Sequence, residues 1–317
     1  MDEKERDKRR SEIILKDSDF LCERRLKALS PELHKRYRSS VFAMDMLLAN
    51  YKALFPFYTN HTFGHSAQVI NYCNILIGPE NIERLNADEL YILLMGACLH
   101  DIGMGISASD YDEMRNHTRG VSAYLTAHPG ADQKEVTREF HQEFSAEFIS
   151  KYRDLFEIPS DAHLDCICRI ARGHRNYDLL DETEFPPQYR LPDGSVVHLP
   201  YLAALTKLAD EMDVTADRNL LFDYSNLGIY GTPLQIMCYK CHKALTHLAV
   251  EGDALILWYR TDEQEVCDEI MRMDAKAQRV FREFADVVRE RTDFTLVQTS
   301  LHYQKEKEKQ APAAAQI

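Results

Sequence analysis

The chain has 317 residues, 45% hydrophobic and 28% charged, and its 51 acidic against 38 basic side chains leave a formal net charge of -13. This balance describes a globular protein of one large or two modest domains, and it excludes the basic footprint on which broad nucleic-acid binding rests. No run approaches the ~18 apolar residues of a membrane span, and the opening MDEKERDKRRSEIILKDSD lacks the apolar core of a secretory signal, so a cytoplasmic location is expected.

From residue 3 to about 224 apolar side chains recur at three- and four-residue intervals, the period of amphipathic helices. Breaks fall at Ser30-Pro31, Gly78-Pro79, Pro129-Gly130, Pro159 and Pro186-Pro187. SPEL at 30–33 reads as a serine N-cap followed by proline in the first helical position, and NADEL at 86–90 opens a helix with acidic residues in its first turn. Residues 175–198 carry repeated turn signals and read as a loop or insertion. Beyond about 225 the pattern changes: ALTHLAVEGDALILWYR reads as two strands around a Glu-Gly-Asp turn, 263–292 as a long helix, and FTLVQTSLHY at 294–303 as a further strand. The expected organisation is therefore mainly α: a helical domain over 1–224, a small α+β segment over 225–303, and a disordered tail over 304–317.

The eight cysteines read as buried small hydrophobes rather than disulfides. CYKCH, Cys238 to His242, has the spacing of a haem attachment site. Such attachment belongs with export, and one C-x-x-C beside a histidine supplies too few zinc ligands. No cofactor is assigned to it.

Polar residues that end or interrupt apolar stripes carry the chemistry. His65 shares a stripe with Val69, Cys73 and Leu76, while Leu90, Leu93, Leu94, Ala97 and Leu99 lead into His100 and Asp101. His141 shares a face with Ser145 and Phe148, His174 follows Leu164, Ile167 and Ala171, and Asp210 sits among Leu202, Leu205, Leu208, Ala209 and Met212. Each alone could be a satisfied core residue. Buried separately, however, each would need its own hydrogen-bond solution, and one shared metal site would serve them all.

The order His65, His100-Asp101, His141, His174, Asp210, with the contexts HS..V, LHDIGM and LADEMD over roughly 50–220, resembles the HD-domain superfamily of metal-dependent phosphohydrolases, in its version with two additional histidines. That resemblance implies a helical HD bundle holding two divalent ions. His65, His100, Asp101 and Asp210 would serve one, and His141 and His174 the other, with Asp101 bridging them. Imidazole and carboxylate suit manganese, iron, cobalt or zinc, and such a pair can share a hydroxide that attacks phosphorus.

Around this set, His61 is placed to contact substrate or protonate a leaving group, and Lys207, Arg138 and Arg175 to meet phosphate. Asp213 or Asp217 is expected to pair with Arg218, and His117, His128 and His163 to be solvated. Met104 stands where related members carry lysine, and a GYP element is lacking, which argues against the cyclic-di-GMP-specific subgroup. The expected partner is a small phosphorylated molecule, a nucleotide foremost, with homo-oligomerisation left open. Two other readings remain at this point: a di-iron oxygenase of the same fold, and a non-catalytic nucleotide-sensing module.

Overall fold

The computed structural model describes residues 20–48, 55, 63–215 and 232–306. They form two compact units, one of residues up to Asp213 together with 282–297, the other of 214–281 and 298–306. The division falls at 213/214 rather than at 224, and the last turns of the long C-terminal helix belong to the first unit.

The first unit is built from α1 (Leu21–Leu29), α2 (Pro31–Leu48), α3 (Phe63–Arg84), α4 (Ala87–Leu99), a 3-10 turn (Ile102–Gly105), α5 (Ala108–Met114), α6 (Val121–Ala127), α7 (Gln133–Lys151), α8 (Asp161–Gly173) and α9 (Leu199–Met212). The caps follow the sequence. The Leu33 N–H donates to Ser30 Oγ at 3.3 Å ahead of α2, and Asn86 and Glu89 form a reciprocal capping box at the start of α4. Residues 175–198 form the expected loop, holding only the two-residue strands β1 (Tyr189–Arg190) and β2 (Val196–Val197), paired antiparallel.

Helix α4 sits at the centre of this unit, buried from Glu89 to Leu99 and packed against α1, α2, α3, α8 and α9. A helix apolar all round has no other stable place in water. Its C-terminal end therefore delivers the next two residues, His100 and Asp101, into the interior.

The turn that follows lies with its backbone directly against α7. The Gly103 N–H donates to Ser145 Oγ at 2.9 Å, and a Cβ on Gly103 would lie 2.3 Å from the His141 carbonyl oxygen and 2.5 Å from the Ser145 nitrogen. Only glycine permits that approach. Helix α3 bends where Gly78 adopts φ 73° ahead of Pro79, and Val297 fills the space a side chain would need.

In the second unit, α10 (Pro233–Ala244) leads into the hairpin β3 (Leu245–Glu251) and β4 (Ala254–Tyr259), turned at Gly252 with φ 65°. After α11 (Gln264–Arg291), whose residues to 281 belong to this unit, β5 (Ser300–Lys305) pairs parallel to β4 in the order β3-β4-β5. The last strand thus begins at 300 rather than 294, and it runs past 303. Residues 294 and 295 are committed within the first unit: both the N–H and the carbonyl of Thr295 bond the Asn81 side chain, and Phe294 packs on Tyr201 and His198. Residues 307–317 and 216–231 lie outside the described residues.

All eight cysteines are free and six of them are buried. The CYKCH residues lie on α10, where the His242 Nδ1–H donates to the Val214 carbonyl, and among the described residues no metal-ligand group forms there. No single described helix is long and apolar enough to cross a membrane.

Replacing Gly103 with alanine should lower stability by about 1–3 kcal/mol through overpacking and reduce metal uptake, because α7 must retreat from the turn and carry His141 with it. Chemical denaturation and metal analysis of the variant check this; wild-type values in both would refute the backbone contact. A pH dependence follows from Glu89, whose Oε1 accepts from the His198 Nδ1–H at 2.7 Å and raises the His198 pKa above its ordinary value, against partial burial. A raised imidazole pKa stabilises fully below the unfolded value of about 6.5, and the contribution disappears as pH climbs through the folded value. The melting-temperature gap between wild type and His198→Gln should therefore narrow from pH 6 to pH 9, followed by calorimetry.

Candidate metal centre

Three of the histidines are aimed by the same local device. The Nδ1–H of His100 donates to the Ala97 carbonyl at 2.9 Å, that of His141 to Arg138 at 2.7 Å, and that of His174 to Ala171 at 2.5 Å, each three residues upstream. His100 and His174 are C-caps of α4 and α8, where the last carbonyls lack helical partners. His141 lies inside α7, but Phe140 directly before it leaves helical geometry at φ -116°, ψ 19°, and that kink supplies mid-helix what a helix end supplies elsewhere. A carbonyl only accepts, so Nδ1 carries a proton in all three rings and Nε2 is the nitrogen turned inward, the atom that would coordinate a metal. His65 is fixed likewise by the Asp213 carboxylate, its Nδ1 lying 2.6 Å from Oδ2.

These Nε2 atoms meet the carboxylates in two groups. In the first, His65 Nε2 lies 3.2 Å from His100 Nε2, 3.3 Å from Asp210 Oδ1 and 3.6 Å from Asp101 Oδ2, and His100 Nε2 lies 3.3 Å from Asp101 Oδ2. In the second, His141 and His174 Nε2 lie 3.0 Å apart, and 3.4 and 3.5 Å from Asp101 Oδ1. Asp101 thus gives one oxygen to each group. Ligand atoms ~2.0–2.2 Å from a common ion stand about 2.8–3.6 Å apart at octahedral or tetrahedral angles, so the spacing fits metal coordination.

Charge argues the same way. Burial depresses the His141 imidazole, with Arg175 adding to the effect, and burial followed by the charge on His100 pushes His174 well below the ordinary range. Two neutral rings with Nδ1 protonated cannot hydrogen-bond to each other through Nε2, yet theirs face each other at 3.0 Å, a repulsion that a bound metal ion would relieve. Burial opposes charge on His100, but Asp101 and Asp210 outweigh it and raise its pKa to about 10. Asp210 is held well below the carboxylate range by His100 and His65 in spite of its burial. These buried histidine and aspartate groups are sets that could hold metal ions.

The remaining expected residues are placed differently from one another. Lys207 Nζ lies 2.8 Å from Glu283 Oε1 and 3.4 Å from the Tyr177 carbonyl oxygen. Arg138 and Arg175 are exposed, and Arg175 is close enough to lower the His141 pKa. His61 and Arg218 lie outside the described residues. His117 and His128 are solvated, but His163 is buried, its ring held by Ser160 and by Asp88 at 2.8 and 2.9 Å. It is a helix-start residue whose capping serine and acidic neighbour fold over it, which no local pattern announces. Asp213 was not expected to orient His65; its spacing three residues after Asp210, on the same helical side, was the available signal.

A helical bundle whose ordered histidines and aspartates converge in this way defines an HD-type domain with a site that could hold metal. The family model HD-CE matches residues 55–293, most of the chain, and the protein belongs to that family. Comparison with curated proteins and with solved structures finds no match in either.

Asp101→Ala should abolish metal uptake by both groups while leaving the helical circular-dichroism spectrum in place, since it removes the one side chain the two groups share. Elemental analysis decides the point, and undiminished metal would overturn this assignment of ligands.

Proposed function

We propose that this chain is a phosphohydrolase that uses two divalent ions, drawn from manganese, iron, cobalt or zinc, to cleave a phosphomonoester or phosphodiester, a nucleotide foremost. The observation that supports it above others is the division of the Asp101 carboxylate between the His65, His100 and Asp210 group and the His141 and His174 group. Bound ions of this type activate water near neutral pH and stabilise the charge that grows on phosphoryl oxygens.

The chain's own residues do the rest. His65, His100, His141 and His174 turn their Nε2 atoms inward because their Nδ1 atoms are held by Asp213 and by helix carbonyls, which fixes ring orientation before anything binds. Arg175, whose charge reaches His141, is the first candidate to meet a phosphate oxygen. Arg138 stands three residues before that ligand, and Lys207 would join once released from Glu283. His61, four residues before His65 in the sequence, would contact substrate or protonate the leaving group.

The test is to load the full chain with manganese and measure metal content, phosphate release from nucleotides, and turnover of a chromogenic phosphodiester. Two ions per chain and phosphate release are expected. Replacing His141 and His174 together with glutamine should leave one ion and lower turnover at least about 100-fold, since second-shell changes alone cost ~10–100-fold at metal sites. Oxygen uptake without phosphate release would replace this reading with the oxygenase, and one ion in the unmodified chain would overturn the two-ion centre.

A further inference from the structure

The three-stranded sheet of the second unit has two edges, and the chain treats them differently. β5 pairs parallel to β4 alone, and the Glu306 N–H just beyond it donates to the Tyr259 carbonyl at 2.8 Å. Alternate residues of such a strand face the neighbour, so Tyr303 turns its N–H away from β4. That N–H donates to Oδ1 of Asp274 on α11 at 3.0 Å, and this carboxylate is buried. The chain closes this edge with its own side chain.

The edge at β3 is open. The two-residue loop Gly252-Asp253 closes on the pair Glu251 and Ala254, and the register then sets Ala249 beside Ile256 and His247 beside Trp258. Those residues exchange main-chain bonds with β4, so Leu248 and Val250 turn their N–H and C=O groups outward. Among the described residues no hydrogen bond reaches those outward groups. Natural sheet edges are blunted by lysine or proline, yet β3, LTHLAVE, holds neither, and Val250 is 50% exposed.

We propose that β3 pairs antiparallel with β3 of a second copy of this chain, about a two-fold axis at Ala249. That axis sets Leu248 opposite Val250 of the second copy, so the outward main-chain groups exchange hydrogen bonds and the two apolar side chains meet. It also sets His247, whose side chain is 57% exposed, opposite the exposed carboxylate of Glu251. The contact is self-complementary, as a two-fold interface requires. Moving the axis one residue either way would set Glu251 opposite Leu245 or Ala249, and the charge match would be lost. The product is one continuous sheet with three strands from each copy.

The experiment is sedimentation velocity of the full chain over about 1 to 100 µM, the range suited to a small interface, with hydrogen exchange of the β3 amides at both ends of that range. A monomer–dimer equilibrium is expected, with the Leu248 and Val250 amides protected only at the higher concentration. Val250→Pro removes an outward N–H and no bond to β4, so it should give a monomer with an unchanged circular-dichroism spectrum. His247→Glu sets carboxylates opposite each other twice per dimer and should weaken association at least about tenfold. Adding Glu251→Lys should restore it. The two positions lie about 13 Å apart along one strand, so such a rescue arises only between copies, even though His247 also stands 4.0 Å from Glu306 Oε1 within its own chain. A monomer throughout the range, protection of the two amides at every concentration, a dimer that survives Val250→Pro, or a His247→Glu defect that Glu251→Lys leaves uncorrected would overturn the pairing. Should Val250→Pro fail to fold, the charge exchange decides alone.

Discussion

Everything in the first unit depends on placing a charged dyad, His100 and Asp101, at the buried end of an apolar helix. An unpaired carboxylate there would be too costly to keep, so three other elements must bring partners to it: α3 with His65, the kink of α7 with His141, and the end of α8 with His174. The packing of those helices around α4 and the chemistry at its end are one constraint. Apolar burial sets the positions, and the positions make a cluster of inward Nε2 atoms that a cation stabilises.

The dyad also accounts for how much was legible beforehand. His65, His100, Asp101, His141, His174 and Asp210 could be read because each broke an apolar stripe, and a stripe is a local pattern. The same period gave the helices, and the Glu-Gly-Asp turn between β-rich runs gave the hairpin. Asp213, His163 and the start of β5 were not legible. Asp213 had a nearer partner in the sequence, His163 is held by Ser160 and by Asp88 from a distant helix, and Thr295 leaves the strand pattern to satisfy Asn81, more than two hundred residues away. The kink at Phe140 likewise has no signature in residue type. For Asp213, His163 and Thr295, hydrogen bonds to distant residues overrode local preference.

Beside the ligands, the polar groups are arranged in a network rather than as isolated charges. Glu143 is buried and accepts from Arg172 and from the Tyr177 hydroxyl, and Tyr177 in turn lies under Arg119, which pairs with Glu184. Such connected groups stiffen one another. They tie the loop after α8 to α7, the two elements that carry His174 and His141.

The contact at Gly103 has a consequence for how this sequence can vary over time. The turn after the dyad meets α7 by a close approach of backbone to backbone at Gly103, with the Ser145 hydroxyl accepting from the Gly103 N–H. A ligand positioned by backbone is insulated from drift in its surroundings: residues on the outer face of α7, and in the segment between the turn and that helix, can be exchanged without moving His141. The constraint then falls on one glycine, the position at which this turn has no room for a side chain.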